Sequence, residues 1–199
     1  MIMVSAPSGG GKTTLCQQVL EARPGMARVI TCTTRAPRGT EKDGVDYYFL
    51  EEKTFQQRVE AGLFLEHAMV YGKRYGTLRS EVVDKLHSGR DVILSMDVQG
   101  VETIRSRAKT DSELGAALVT VFLTPPSLVI LEQRLRKRGV DSAEVMKQRL
   151  AEARHELEHW RSFDYLIIST SIAEDFRRMQ AIIDAEKMRS LRARLPQME

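Results

Sequence analysis

Apolar residues recur along this chain with two different spacings. Ile2-Met3-Val4, Val92-Ile93-Leu94-Ser95-Met96, Leu118 to Leu123 and Tyr165 to Ile168 are short, largely unbroken runs, the mark of strands buried on both faces. Between them the spacing becomes helical: Leu15, Cys16, Val19 and Leu20; a helix from about Arg79 to His87; another opening at Asp97-Val98-Gln99-Gly100; Met146, Leu150, Ala153, Leu157 and Trp160; and Ile172, Phe176, Met179 and Ile183. Pro24-Gly25 stops the first helix, and Arg28-Val29-Ile30-Thr31 reads as a second strand. Pro125-Pro126-Ser127 starts a basic helix that reaches Arg138-Gly139. Asp141 with Glu144, and Ser171 with Glu174, have capping-box spacing, the first opening a helix to about Trp160.

Residues 32–80 break this rhythm. A loop with Pro37 and Gly39 leads to a turn at Asp43-Gly44 and an aromatic β-prone run, Tyr47 to Leu50. A short helix follows with Phe55 and Val59 inward, then a strand-like stretch from Leu63 to Val70 and a turn over Tyr71 to Thr77. The pattern predicts an α/β protein with a β-rich insertion at 32–80, in a single domain over 1–199.

Composition narrows the class. With 199 residues, 42% apolar and 29% charged, the chain falls among ordinary globular domains. No apolar run approaches the ~20 residues that span a bilayer, and the first strand begins at once, so a cytoplasmic protein without a leader or membrane segment is expected. Cys16 and Cys32 are the only cysteines and lack C-x-x-C spacing, which points to reduced thiols. The net charge is +3, but Arg35, Arg38, Lys73, Arg74, Arg134, Arg136, Lys137, Arg138 and Arg149 gather in three segments. Small polyphosphates suit this clustering better than nucleic acid, because no groove-reading motif accompanies it.

The candidate chemistry centres on Ala6-Pro7-Ser8-Gly9-Gly10-Gly11-Lys12-Thr13-Thr14, set between a buried strand and a helix. Glycines let backbone N–H groups turn toward phosphate oxygens, and the helix N-terminus adds partial positive charge. In such a loop Lys12 reaches the β- and γ-phosphates of a nucleoside triphosphate, and the Thr13 hydroxyl is placed to ligate Mg²⁺. The usual pattern begins with glycine; here that place holds Ala6.

With this loop, Thr33-Thr34-Arg35 through Tyr47, Glu66 with Tyr75-Gly76-Thr77, and Arg134 to Arg149 with Arg138-Gly139, the chain resembles the guanylate kinase family from about Ile2 to Ile183. The resemblance implies a five-stranded parallel sheet with helices on both faces (1–31, 81–125 and 151–188), a GMP-binding insertion (32–80) and a small helical lid (126–150). It implies transfer of the ATP γ-phosphate to GMP with Mg²⁺ as cofactor, ATP and GMP as the partners, and no nucleic-acid or membrane partner. Oligomeric state stays open between monomer and homodimer. Arg35, Arg38, Tyr47 and Tyr75 would hold the GMP phosphate, with Glu41 orienting an arginine or touching the nucleotide. Glu66 would read guanine, Thr31 and Thr77 would contact its O6, and Asp97 would lie near nucleotide and metal. Arg134, Arg138 and Arg149 would close over the transferring phosphoryl group. Ser169-Thr170 departs from the family's usual Asn-Asp near the expected adenine contact.

Other readings compete. His155-Glu156-Leu157-Glu158-His159 matches the H-E-x-x-H of zinc peptidases, but the helical spacing turns both histidines away from the apolar face, toward solvent. A sugar-phosphate kinase would keep the loop without needing Glu66, and a non-catalytic interaction module would not need the loop.

Overall fold

The computed structural model describes residues 1–70, 72–137 and 143–193. The chain runs through β1 (Ile2–Ser5), α1 (Lys12–Ala22), β2 (Met26–Arg28), β3 (Cys32–Thr33), β4 (Tyr48–Phe49), α2 (Glu52–Glu60), β5 (Phe64–Val70), β6 (Lys73–Leu78) and α3 (Arg79–His87). It continues with β7 (Asp91–Ser95), α4 (Val98–Ala108), α5 (Ser112–Ala117), β8 (Val119–Thr124), α6 (Leu128–Lys137), α7 (Ala143–Glu158), a 3-10 turn at Trp160–Ser162, β9 (Tyr165–Ile168) and α8 (Ile172–Met188).

Five strands form one parallel sheet in the order β2-β7-β1-β8-β9. Its alternate side chains face two cores, which is why the strands read as continuous apolar runs. Ile2, Val4, Ile93, Val121 and Ile167 pack with α1 and α8 on one face. Met3, Val92, Leu94 and Phe122 pack with α3, α4 and α5 on the other. The central strand β1 is flanked by β7 and β8, and the crevice beyond the strands' C-terminal ends at such a point is where α/β sheets bind ligands. The loop after β1, Asp97 after β7 and Ser169 after β9 all lie on that edge.

The insertion carries a second sheet in the order β4-β3-β6-β5. It has its own core of Cys32, Phe55 and Phe64, with the two phenyl rings stacked 4.5 Å apart. α6 and α7 pack on each other through Leu131, Leu135 and Ala153, and α7 continues unbroken past residue 150. No helix among the described residues is long and apolar enough to cross a membrane.

The α/β architecture predicted from the spacing holds, and three elements differ from the reading. The expected strand at 28–31 is β2 at Met26–Arg28, with 29–31 outside any strand. The Val29 N–H still reaches Ile93 O at 3.2 Å, but the Ile30 N–H turns to the Glu81 carboxylate at 3.0 Å, so a side chain ends the ladder despite β-branched residues. The expected turn at 71–77 is largely strand β6, paired with β3 and β5. Gly76 marks a close approach there: a Cβ on it would sit 2.8 Å from the Phe64 ring. The short α5, capped by the Asp111 carboxylate, was not anticipated because Leu114 is its one buried apolar anchor. Trp160, expected on the buried face of α7, lies beyond the helix and is 40% exposed. The capping residue Asp141 lies outside the described residues.

Phe55 is fully buried and carries the insertion's small core. Phe55→Ala is therefore expected to cost ~3 to 5 kcal/mol, read as a lower urea midpoint at unchanged slope.

Candidate active site

The phosphate loop is shaped by close packing. Gly10 N–H donates to Pro7 O at 2.8 Å, closing the turn. A Cβ on Gly10 would sit 2.8 Å from the Ala6 Cβ and 2.9 Å from Pro7 O. The methyl of Ala6 is thus accommodated because Gly10 has none, and Ala6 joins the core beneath α1. Lys12 Nζ donates to the Ala6 carbonyl. Burial pushes the Lys12 pKa down, while Glu156, Asp97 and Cys16 oppose that shift. Thr13 and Thr14 are exposed on the first turn of α1. Residues 7–14 and Glu156 line a cavity of about 260 Å³.

A second cavity, about 210 Å³, gathers Thr31, Tyr47, Glu66, Tyr75, Thr77 and Asp97, all six singled out from sequence, against Ala68, Val70, Gly76, Ser95 and Met96. Glu66 reaches it through an irregularity. The β5–β6 register shifts between Phe64 and Glu66, so Phe64 faces Leu78 while Glu66 faces Thr77. The extra residue lets Phe64 and Leu65 both be buried and aims Glu66 into the cavity. Thr77 Oγ1 donates to Glu66 Oε1 at 2.7 Å. Burial pushes the Glu66 pKa up; the Thr77 bond opposes this and Asp97 adds to it. Asp97 caps α4, with Oδ1 accepting from Gly100 N–H at 2.8 Å.

Beside this cavity, Arg35 forms a two-pronged pair with Glu41, both contacts at 2.9 Å. Its guanidinium lies 5.4 Å from the centre of the Tyr47 ring. The pair holds the Glu41 carboxyl below the usual carboxylate range and raises Arg35. Arg38 hydrogen-bonds Glu41 through its backbone, its N–H donating to the carboxylate at 2.7 Å and its carbonyl accepting from Glu41 N–H at 3.0 Å, and its side chain is exposed.

A third cavity, about 330 Å³, joins Gly9, Gly10, Gly11 and Thr14 to Arg134 and to the segment Ser169–Ile172 with Asp175. Ser169 Oγ donates to Asp175 Oδ2 at 2.6 Å and accepts from Arg134 Nη2 at 3.1 Å. Arg149 is half-buried on α7, and Arg138 lies outside the described residues. A larger cavity, about 580 Å³, lies apart, between Arg58, Leu63, Leu78, Arg79 and Val83, and holds none of the sequence-predicted site residues.

Sequence reading missed Glu156, Asp175 and Ile172. Glu156 sits inside the H-E-x-x-H motif, three residues after the buried Ala153, so helical spacing placed it toward the protein while attention fell on the histidines. His155 is exposed as expected, but His159 is half-buried with Nδ1 2.7 Å from Glu102 Oε1. Among the described residues no group of three His, Cys, Asp or Glu side chains is placed to hold a metal.

Comparison with known proteins points one way. A family model described as guanylate kinase matches residues 1–186. The guanylate kinase of Maricaulis maris is 39% identical over 192 residues, covering 96% of this chain and 85% of that protein. That of Paramagnetospirillum magneticum is 42% identical over 189 residues, covering 95% and 86%. The crystal structure of guanylate kinase from Anaplasma phagocytophilum superposes with a TM-score of 0.75 at 30% identity, covering 96% of this chain and 88% of that one.

The half-buried, partly desolvated Glu66 carboxylate predicts a pH-dependent stability penalty. Its folded pKa lies above the unfolded value, so stability is fully present below about pH 4.3 and is lost as pH rises through the folded value. Glu66→Gln keeps the acceptor for Thr77 and removes the charge. We expect it to raise Tm at about pH 7.5, with the gain fading toward about pH 4; thermal melts across pH that show no gain would contradict this.

Proposed function

From the premise that the chain belongs to the guanylate kinase family and transfers a phosphoryl group from ATP to GMP, we propose how its residues divide the work. The ATP phosphates lie in the cradle of residues 6–14, with the adenosine directed to the cavity of Arg134 and Ser169–Ile172. GMP lies in the cavity of Glu66 and Thr77. Its phosphate faces Arg35, Arg38, Tyr47 and Tyr75, where forked guanidinium donors and phenol hydroxyls suit a dianion, and Glu41 holds Arg35 in place.

The observation that carries this reading is Glu66, a half-buried carboxylate beside the buried Thr77 hydroxyl on the wall of a cavity. Guanine offers adjacent N1–H and N2–H donors to such a carboxylate, and its O6 can take a hydroxyl hydrogen bond from Thr31, or from Thr77 once guanine's donors replace the Thr77 hydrogen at Glu66. A sugar phosphate gives no reason to bury a carboxylate there.

Little covalent chemistry is required of the chain, because phosphoryl transfer proceeds once the two nucleotides are aligned and their charge is neutralised. Lys12 leaves the Ala6 carbonyl to meet phosphate oxygens, and loop N–H groups meet the others. Kinases of this family use a divalent metal with ATP, and we propose Mg²⁺. The exposed Thr13 hydroxyl on the cradle, and the Asp97 carboxylate within electrostatic reach of Lys12, offer the hard oxygen atoms it prefers. When bound, Mg²⁺ supplies neutralisation of the β- and γ-phosphate charge. The α6–α7 pair acts as the lid, bringing Arg134, Arg138 and Arg149 over the transferred group. The setting we infer is the cytoplasm, with nucleotides rather than nucleic acid or membrane as partners.

A coupled assay of ADP formation with ATP and each nucleoside monophosphate in turn tests the assignment, and GMP should give the highest kcat/KM. Lys12→Ala should fold normally yet lose roughly 10²- to 10³-fold in kcat. Glu66→Ala should lower kcat/KM for GMP roughly 10- to 150-fold and shrink the preference over AMP, with Thr77→Val acting in the same direction. A GMP-to-AMP ratio unmoved by both changes would show that guanine is read elsewhere.

A further inference from the structure

The cradle is lined by the phosphate loop and by one residue from outside it, Glu156. Lys12 and then the Ser8 backbone N–H are the groups that favour the ionised form of the Glu156 carboxylate. Asp97 and Glu152 also face it and disfavour that form, and burial pushes its pKa up. The side chain therefore draws on the same donors, a loop N–H and the loop lysine, that a triphosphate needs. Glu156 lies near the end of α7, seven residues and about two turns after Arg149, so both project from one face of that helix.

We propose that Glu156 is a positioning residue that competes as an anion with the donor's phosphates for the loop, so that seating ATP displaces it and shifts the helix face carrying Arg149. Two negative groups cannot share Ser8 N–H and Lys12 without repulsion; along α7, Met146, Leu150 and Ala153 pack with α6, while Leu157, next to Glu156, packs against a sheet core and is the point about which the helix would pivot. Filling the donor site would then be signalled directly to the arginine-bearing lid. The inference rests on the phosphate-loop reading given above.

The test compares wild type, Glu156→Gln and Lys12→Ala in binding a non-hydrolysable ATP analogue with Mg²⁺, by calorimetry at low and at high salt. Glu156→Gln keeps the shape and removes the charge. It should tighten donor binding on the order of 5- to 10-fold at low salt, less at high salt, and leave GMP affinity unchanged. A purely structural role would weaken binding or leave it alone, and either result overturns the competition. If Lys12→Ala weakens donor binding while Glu156→Gln fails to tighten it, this inference alone falls; if Lys12→Ala binds as wild type does, the phosphate-loop reading falls. Trp160, the chain's single tryptophan, stands just past α7 and reports the displacement. Its fluorescence should change when the analogue binds wild type and change less in Glu156→Gln, and equal amplitudes would overturn the link to the helix.

Discussion

Two negatively charged nucleotides must be brought together at their phosphates, and their mutual repulsion is the constraint the fold answers. A parallel sheet with both faces buried sends the C-terminal ends of its strands to one edge, so the loops after β1, β7 and β9 emerge side by side. Helix N-termini follow β1 and β7 at that edge, α1 after the glycine loop and α4 after Asp97. The N–H groups at the start of α1, which no side chain caps, contribute positive potential without the solvation cost of extra buried lysines, while at α4 the Asp97 carboxylate takes the Gly100 N–H. The charged side chains that remain necessary are then few and individually placed.

The proposed acceptor cavity poses the opposite problem. It holds the Glu66 carboxylate, which desolvation destabilises. The shifted β5–β6 register permits this by turning Glu66 inward after two consecutive buried side chains, and the Thr77 hydroxyl offsets part of the desolvation. Separate placement keeps the signs apart: Glu66 lies in the cavity with Thr77 and Asp97, while Arg35 is clamped outside it by Glu41 over the Tyr47 ring.

Much of this was legible in the chain because the decisive signals were local. Unbroken apolar runs and helical stripes gave the sheet and most helices, the phosphate loop followed from its glycine spacing, and the residues proposed for the acceptor side were named through the family resemblance. The failures came where a distant partner decided. Ile30 belongs to a β-branched stretch, yet Glu81, fifty-one positions away, takes its N–H. Gly76 resembled a turn residue because nothing nearby reveals the Phe64 ring above it. Glu156 was hidden by a motif of other meaning, although its spacing from Ala153 already turned it inward.

The departure at Ser169 shows how a small residue can serve where a larger polar one is usual. Ser169 is 2% exposed. Its hydrogen goes to Asp175, and one lone pair takes the Arg134 guanidinium. Thr170 N–H also reaches Asp175 Oδ1, at 3.2 Å, so the carboxylate fixes the turn and the hydroxyl together. A hydroxyl engaged on both sides has little left for a base, and its work is mechanical. It ties the end of β9 and the first turn of α8 to an arginine on α6, and so sets the direction from which Arg134 approaches the glycines of the loop.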